Sequence, residues 1–429
     1  MVIATFAGGV FMAVVHTVAG KMGREEYSTF VTLLRVLIIM GIPAAALQTV
    51  FARQAAAVTN AREEHQLTAT IRAVLAWTFL LWLVMGGGVL AATRSLSHLF
   101  KVSHPAALWF TVGLGLTNLW IPIMKGLLQG KHRFGELGWL QIIDGVGRFT
   151  VMLLMVVFLG GKAASGMFAA FSGQFMTAAL GIALTYALWS AKPPVSFHWK
   201  TWLREASPLT LGLGAFLLMS SIDMIFVQGL FCDANMTALY GGAMLTGYAI
   251  TQFIAPVSLV MFARVAQSVA RAERTDSLGM TLGATILFGG IAAVGCTLFP
   301  KLPLHVMYFK NPEMWQAASL VPWFAWALLP VAVANVLVQN ILARGRFEAV
   351  PWLCLVPAVY AASLCLQAPG LLALPPMKAF THVIGTLGLA SLAFCIVAVW
   401  YTRGKPATVS DPGLAVERSI SDTASSPAE

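Results

Sequence analysis

The 429-residue chain is 58% hydrophobic and only 10% charged, with a mean hydropathy of +0.79. Soluble domains carry roughly 45–50% apolar and about 25% charged residues, so this composition excludes an ordinary soluble domain. The formal net charge of +10 comes from basic residues scattered over short segments, whereas a nucleic-acid-binding surface gathers them on one face. We therefore expect an all-α membrane protein with membrane lipids around it and no nucleic-acid partner.

Segments nearly free of charge recur along the chain, each close to the roughly 20 residues that a helix needs to cross the hydrocarbon core. We predict twelve transmembrane helices, at 2–20, 28–50, 71–93, 106–128, 138–160, 165–190, 207–230, 237–262, 277–298, 315–341, 350–372 and 381–402. The remaining tail, 403–429, is rich in Ser, Pro, Ala and Asp, a composition that predicts disorder.

The distribution of Lys and Arg predicts the orientation, because cytoplasmic loops carry an excess of both. Of the 27 basic residues, sixteen lie in the even-numbered loops and the tail, eight lie in the odd-numbered loops, and three lie inside predicted spans. The sixteen are Arg53, Arg62, Arg72, Lys131, Arg133, Lys192, Lys200, Arg204, Arg264, Arg271, Arg274, Arg344, Arg346, Arg403, Lys405 and Arg418. This bias predicts a multi-pass protein of the bacterial inner membrane with both termini and the tail in the cytoplasm.

Several motifs of soluble chemistry are missing from the sequence. The five cysteines form no CxxC pair, and Gly160-Gly161-Lys162 lacks the spacing of a Walker A loop. No predicted loop exceeds about 20 residues, against roughly 50 or more for a typical domain. We therefore expect no cofactor, no metal site and no enzymatic activity.

The two halves of the chain share short similar segments. Two pairs carry the similarity: Phe51-Ala52-Arg53 with Phe262-Ala263-Arg264, and Lys131, Arg133 and Phe134 with Arg344, Arg346 and Phe347. Their offsets of 211–213 residues are about half the chain and predict two six-helix lobes, at 1–200 and 201–402. Because six is even, both lobes enter the membrane from the same side, which is the parallel-repeat architecture of many alternating-access transporters.

Polar residues inside the predicted spans are candidates for function, because a charge at the bilayer centre costs at least about 2.5–3.5 kcal/mol. Gln141, Asp144 and Arg148 occur at i, i+3 and i+7 of span 5, which places them on one helix face. Arg35 lies about a third of the way into span 2, and Asp223 lies at a similar depth in span 7.

We interpret these residues as candidates for a cavity that binds a pyrophosphate group and sugar hydroxyls, since Arg donates two parallel hydrogen bonds to phosphate. The alternative is that Asp144 and Arg148 neutralise each other as a packing device. Asp223 has two possible roles: it pairs with Arg35 or Arg148 across the lobes, or it serves as an H⁺ or Na⁺ site. We expect Lys125, one turn from the end of span 4, to extend to the membrane interface.

Uncharged polar residues add to the candidate site. Asn335 and Gln339 occur at i, i+4 in span 10, and Asn118 and Gln174 lie in spans 4 and 6. Each is a partner for sugar hydroxyls if it faces the cavity. Interhelical hydrogen bonding is the commoner use of such residues in membranes.

Two short motifs resemble elements of a known family. Polysaccharide flippases carry a G-x-x-E-Y-G-x-F element, which Gly23-Arg24-Glu25-Glu26-Tyr27-Ser28-Thr29-Phe30 resembles except for Ser28 in place of the second Gly. They also carry L-x-G-x-x-R-F at the end of span 4, which Leu128-Gln129-Gly130-Lys131-His132-Arg133-Phe134 matches. These proteins belong to the multidrug/oligosaccharidyl-lipid/polysaccharide exporter superfamily.

The resemblance implies two helical lobes around a central cavity and movement of a lipid-linked oligosaccharide, of the polyprenyl diphosphate type, from the cytoplasmic to the outer leaflet. A cation-coupled multidrug exporter of the same superfamily is the alternative. Such exporters usually carry acidic residues in span 1 or span 10, and segments 2–20 and 315–341 contain none. A glycan polymerase or ligase is disfavoured, because it needs a large extracytoplasmic loop with acid–base residues.

Overall fold

The computed structural model describes residues 41–403, apart from 100–101, 103, 191–194, 196, 232–233, 272–276 and 308–311, together with scattered residues between 4 and 37. All regular structure within these residues is helical, as predicted. Helices pair their backbone N–H and C=O groups internally, which an apolar chain in lipid requires. Arg35, parts of predicted spans 1 and 2, and the tail after residue 403 lie outside the described residues.

The described helices follow one another with short connections. In the first half of the chain they are α1 (Gly41–Ala57), α2 (Ala61–Ala91), α3 (Thr93–Leu99), α4 (Ala106–Gly130), α5 (Phe134–Met152, continued by a π-helix at Leu153–Phe158) and α6 (Ala163–Thr185). In the second half they are α7 (Trp199–Met219), α8 (Ile222–Phe231), α9 (Ala234–Ala270), α10 (Ser277–Leu298), α11 (Lys301–Met307), α12 (Val321–Ala343), α13 (Val350–Leu372) and α14 (Pro376–Arg403).

Within the described part of the chain, eight helices are long and apolar enough to cross a membrane. A ninth span is formed if α7 and α8, which meet at an angle of 46°, cross together. These helices establish a multi-pass membrane protein. Predicted span 8 falls within α9, many of whose side chains lie outside the described residues.

Predicted span 7, at 207–230, is interrupted in the structure. The helix breaks between Met219 and Ile222. The Ser220 and Ser221 hydroxyls donate to the carbonyl oxygens of Phe216 and Leu217, at 3.0 and 2.9 Å. Such back-bonding competes with the backbone ladder and bends helices, so two consecutive serines account for the break.

Predicted span 3 starts ten residues too late, at 71 instead of at Ala61. The Asn60 side chain caps α2 by accepting a hydrogen bond from the Glu63 backbone N–H at 2.9 Å. Glu63 and Glu64 in the first turn add a favourable interaction with the helix dipole. Arg72, which is counted with the loop although predicted span 3 begins at 71, therefore lies well inside a helix.

Small residues let helices approach closely in the N-terminal lobe. A Cβ atom added at Gly126 would lie 2.4 Å from the Gln48 carbonyl oxygen, and one at Gly130 would lie 2.4 Å from that of Ala52. Helix α4 therefore packs backbone to backbone against α1, a mode of association that is common in membranes. Gly147 of α5 approaches Gly173 of α6 in the same way.

The C-terminal lobe is built around α12. Sixteen of its 23 residues are buried, on all sides of the helix. A helix that is apolar all round belongs at the centre of a helical assembly, and α9, α10 and α14 pack around it. Large apolar side chains such as Leu366 and Trp400 point away from this core and form a surface suited to lipid.

The turns after α4 and α12 have the same geometry. His132 and Gly345 both adopt left-handed backbone conformations, with φ of 59° and 70°. The Arg133 N–H donates to the Leu128 carbonyl at 2.8 Å, and the Arg346 N–H donates to the Ile341 carbonyl at 3.1 Å. Each donor and acceptor in one turn is 213 residues from its counterpart in the other, which agrees with the internal repeat.

The contacts found between the two lobes among the described residues lie at one end, which we call the closed end and define by Arg53, His132, Glu205 and Gly345. The Gln129 side chain donates across the lobes to the Leu259 carbonyl at 3.0 Å, and Gln54 donates to Glu205 at 3.5 Å. Apolar residues of α1 join the core of the C-terminal lobe there, among them Val50 and Ala52. The closed end carries the even-numbered loops.

Candidate functional site

A polar cluster lies inside the N-terminal lobe, on the face of α5 that the i, i+3, i+7 spacing predicts. The Arg148 guanidinium donates from Nε to Asp144 Oδ1 at 2.7 Å and from Nη2 to Oδ2 at 3.2 Å. The Lys125 ammonium of α4 donates to the Gln141 Oε1 atom at 3.0 Å. It also lies within electrostatic reach of both Asp144 and Arg148. The cluster therefore joins Gln141, Asp144 and Arg148 to a fourth side chain from another helix.

Lys125 was expected to extend to the membrane interface, and this is wrong. Its ammonium turns toward α5, where Gln141 supplies an acceptor. The sequence contains a signal for this pair, because Lys125 and Gln141 are each eight residues from Arg133, in the turn between α4 and α5. Residues equidistant from the turn of an antiparallel helix pair lie at similar depth.

Arg148 is packed against α6 as well as paired with Asp144. It is 9% exposed, and a Cβ atom added at Gly173 would lie 2.4 Å from Arg148 Cγ. The absent side chain at Gly173 therefore makes room for the Arg148 stem. This geometry supports a packing role for the ion pair, but Asp144, whose side chain is 23% exposed, is less enclosed than its partner.

A second set of polar groups extends the cluster along α4 and α6. The Gln174 amide donates to the Asn118 Oδ1 atom at 2.9 Å, and its own oxygen accepts a short hydrogen bond from the Thr117 hydroxyl. These side chains are used between helices, which is the commoner of the two uses considered for Asn118 and Gln174. They give the lobe a polar interior beside Arg148.

Asp223 lies in the other lobe, near the start of α8. It is 1% exposed, and the Tyr240 hydroxyl of α9 donates to its Oδ2 atom at 2.9 Å. Its Oδ1 atom and the Tyr360 hydroxyl are buried without a hydrogen-bond partner among the described residues. Of the alternatives left open for Asp223, pairing with Arg148 is not seen in this structure, where Arg148 is paired with Asp144 within its own helix. Pairing with Arg35 falls outside the described residues.

Asn335 and Gln339 lie one turn apart on α12, Asn335 half-buried and Gln339 buried. They belong to the C-terminal lobe and do not join the cluster of α4 and α5. The candidate residues that the structure describes thus fall into three groups: the cationic cluster of the N-terminal lobe, the Asp223–Tyr240 pair, and the amides of α12. Tyr240 was not anticipated as a site residue, since its pairing depends on how α8 and α9 meet.

The N-terminal cluster has the chemistry of a weak anion site. Lys125 and Arg148 provide two positive charges against one carboxylate, that of Asp144. An ammonium has three donors and a guanidinium has five, so hydrogen-bond donors remain after the contacts to Gln141 and Asp144. Among the described residues, no group of three or more His, Cys, Asp or Glu side chains is placed to hold a metal ion.

Solved structures share this fold along nearly the whole chain. A MATE transporter of Vibrio cholerae superposes with a TM-score of 0.69 at 13% identity, covering 98% of this chain and 95% of that one. A MOP superfamily transporter from Pyrococcus furiosus gives 0.68 at 12% identity over 94% of each chain, and a eukaryotic MATE transporter gives 0.70 at 12% over 93% of each. The chain therefore has the fold of these transporters.

Sequence comparison identifies the family within that class. The model of the polysaccharide biosynthesis protein family matches residues 26–269, more than half of the chain, so this protein belongs to that family. An uncharacterized membrane protein of Methanocaldococcus jannaschii is 24% identical over 234 residues, which cover 49% of this chain and 52% of that protein. The chain thus matches about half the length of this relative.

Proposed function

We propose that this protein moves a lipid-linked oligosaccharide of the polyprenyl diphosphate type across the bacterial inner membrane by alternating access, for the synthesis of surface polysaccharide, including lipopolysaccharide. The observation that carries the proposal is the excess of positive charge formed by Lys125 and Arg148 around Asp144 in a lobe interior. A diphosphate is an anion that must cross the bilayer, and buried cations offset its loss of hydration.

The two cations of the cluster differ in how their charges are offset. Asp144 already accepts from two nitrogens of Arg148, whereas Lys125 gives one hydrogen bond to the uncharged Gln141 side chain. Lys125 is therefore the cation that no carboxylate pairs with in the cluster, and Asp144 holds Arg148 in position. Arg35, Asn335 and Gln339 are further candidates for the diphosphate and the sugar hydroxyls.

The test is export of surface glycan at matched protein abundance. We expect Lys125→Met and Arg148→Ala each to reduce export at least about tenfold, because a charge-assisted hydrogen bond contributes roughly 1.5–3 kcal/mol. Arg148→Lys keeps the charge but loses the fork, so it restores export only in part. Lys301→Met is the matched control, since Lys301 is exposed on α11 in the other lobe.

Asp144→Asn separates transport from packing. If Asp144 only neutralises Arg148, the variant lowers protein abundance, because it leaves a buried charge without its partner. If Asp144 serves transport, abundance holds while export falls. Normal export by both Lys125→Met and Arg148→Ala contradicts the proposed function.

A cation-coupled drug exporter is the second candidate, because the buried Asp223–Tyr240 pair provides a carboxylate that could couple transport to a cation. A carboxylate enclosed in a lobe with an unused oxygen can take up H⁺ or Na⁺ in either kind of transporter. Asp223→Asn therefore stops transport in both cases, and the substrate separates them. Raised drug sensitivity of a deletion strain with normal surface glycan favours the exporter.

A further inference from the structure

Arg53 crosses from one lobe to the other at the closed end. It belongs to α1, yet its guanidinium carbon lies 5.1 Å from the centre of the Phe347 ring, which follows α12 in the C-terminal lobe. A guanidinium within about 6 Å of an aromatic face is attracted by the ring. Glu205 of α7, also in the C-terminal lobe, lies within electrostatic reach of the same guanidinium. Both interactions join the lobes.

Gly345 provides the space in which Arg53 lies. A Cβ atom added there would be 2.7 Å from Arg53 Nη2, closer than Cβ contacts in proteins permit. The left-handed backbone of Gly345, with φ of +70°, separately favours glycine. The Arg53 guanidinium of the N-terminal lobe thus fills the space that a side chain at position 345 would occupy.

The internal repeat gives the Arg53–Gly345 arrangement an equivalent pair of positions at the closed end. His132 occupies the position of Gly345, and Arg264 occupies that of Arg53, since the offsets are 213 and 211 residues. Arg264 lies within electrostatic reach of His132. The two arrangements differ in chemistry, because Arg53 lies over an aromatic ring, whereas Arg264 acts on His132 only through its charge. The Arg53 crossing is the attractive one.

We propose that Arg53 is a latch of the closed end: it holds the two lobes together by lying over Phe347 in the space left at Gly345, and it withdraws when the lobes separate there. The latch rests on the proposed transport cycle, but the contact is independent of the substrate. If the even-numbered loops are cytoplasmic, this structure is closed to the cytoplasm, and release of Arg53 opens the substrate path from that side.

Hydrogen–deuterium exchange of the purified full chain in lipid nanodiscs tests the latch without any substrate. We expect Arg53→Ala, Phe347→Leu and Gly345→Ala each to raise hydrogen exchange about twofold or more in the turn at 131–134. The reason is that loss of a cation–π contact favours the open state by roughly 2- to 30-fold. Arg53→Lys keeps a cation over the ring and restores protection in part. The turn at 131–134 is the informative reporter, because it belongs to the other lobe from Phe347.

Gly160→Ala is the matched control for Gly345→Ala. Gly160 has φ of +63°, so alanine brings similar backbone strain, but no atom lies within 4 Å of an added Cβ. Exchange at 131–134 stays at the wild-type rate in this control. When Arg53 is already alanine, we expect Gly345→Ala to increase exchange at 131–134 no more than Gly160→Ala does. The reason is that the atoms near an added Cβ at position 345 belong to the Arg53 side chain.

Two results overturn the latch. The first is an exchange rate at 131–134 that stays at the wild-type value in both Arg53→Ala and Gly345→Ala. The second is faster exchange confined to the segment 344–349, because Arg53 then stabilises only the turn that contains Gly345 and Phe347. Failure of the proposed function gives a different pattern: normal glycan export by the Lys125 and Arg148 variants, with the exchange results unaffected.

Discussion

Lys125 and Arg148 are both cations of the same cluster, but they are held in different ways. Arg148 is paired with Asp144 one turn away and packed over Gly173. Lys125 reaches from a neighbouring helix and makes one hydrogen bond, to Gln141. Because a buried pair satisfies its own charges, the capacity of the cluster to bind an anion rests on the additional ammonium.

His132 gives the closed end a dependence on pH at the scale of one residue. Burial lowers the pKa of His132, and the positive charges of Arg264 on α9 and of Arg271 directly after it lower the pKa further; Lys131 and Arg133 flank His132 in its own turn. The closed end around His132 is therefore most stable above the ordinary histidine pKa of about 6.5, and it weakens as the pH falls through that value toward the lower pKa.

We expect Arg264→Gln and Arg271→Gln each to raise the pKa of His132 toward its ordinary value, leaving the part due to burial. Nuclear magnetic resonance titration of the ring, assigned with His132→Asn, measures this. Arg204→Gln is the control, since Arg204 is another exposed arginine of the even-numbered loops. A wild-type His132 that titrates at its ordinary pKa contradicts the expectation.

Close helix contacts decide which element holds the cationic cluster in place. A Cβ atom at Gly173 of α6 would meet Arg148 N at 2.7 Å and the Asp144 carbonyl oxygen at 2.8 Å, and backbone atoms cannot yield as a flexible side chain can. We expect Gly173→Ala to lower the free energy of unfolding by about 1–3 kcal/mol, as overpacking does. Thermal unfolding in detergent measures the change.

Gly87→Ala is the control for that substitution. Gly87 lies in α2, and nothing lies within 4 Å of an added Cβ. Alanine is the better helix former by up to about 1 kcal/mol, so this variant is neutral or more stable. Equal stability of the two variants means that α5 and α6 do not approach as closely as the structure shows.

At the scale of the whole molecule, the two lobes meet at the end that carries the even-numbered loops. The excess of Lys and Arg in these loops predicts that this end faces the cytoplasm. We expect a cysteine at Arg62 to react with an impermeant thiol reagent only after the cells are permeabilised. A cysteine at Lys301, exposed on α11 within the odd-numbered loop between predicted spans 9 and 10, is expected to react in intact cells.

Cells with the wild-type protein correct for the five native cysteines. Strong labelling at Arg62 in intact cells reverses the orientation. It also reverses the direction in which the latch opens, while the contact between Arg53 and Phe347 itself stays as described.

The sequence by itself determined the helical membrane fold, the repeat of the turns at His132 and Gly345, and the shared face of Gln141, Asp144 and Arg148. Each of these follows from the order of residues along one helix or from the energy of placing a side chain in lipid. Spacing of three, four and seven residues defines a helix face without knowledge of its neighbours.

Only the tertiary structure decided which partners those faces meet. Three contacts depend on the rotation and relative height of packed helices: Lys125 with Gln141, Asp223 with Tyr240, and Arg53 with Phe347. A one-residue rotation turns a helical side chain by about 100°, which is enough to exchange lipid for a polar partner. Small residues such as Gly173 and Gly345 set these approaches, and their effect appears only when a second helix or lobe fills the space they leave.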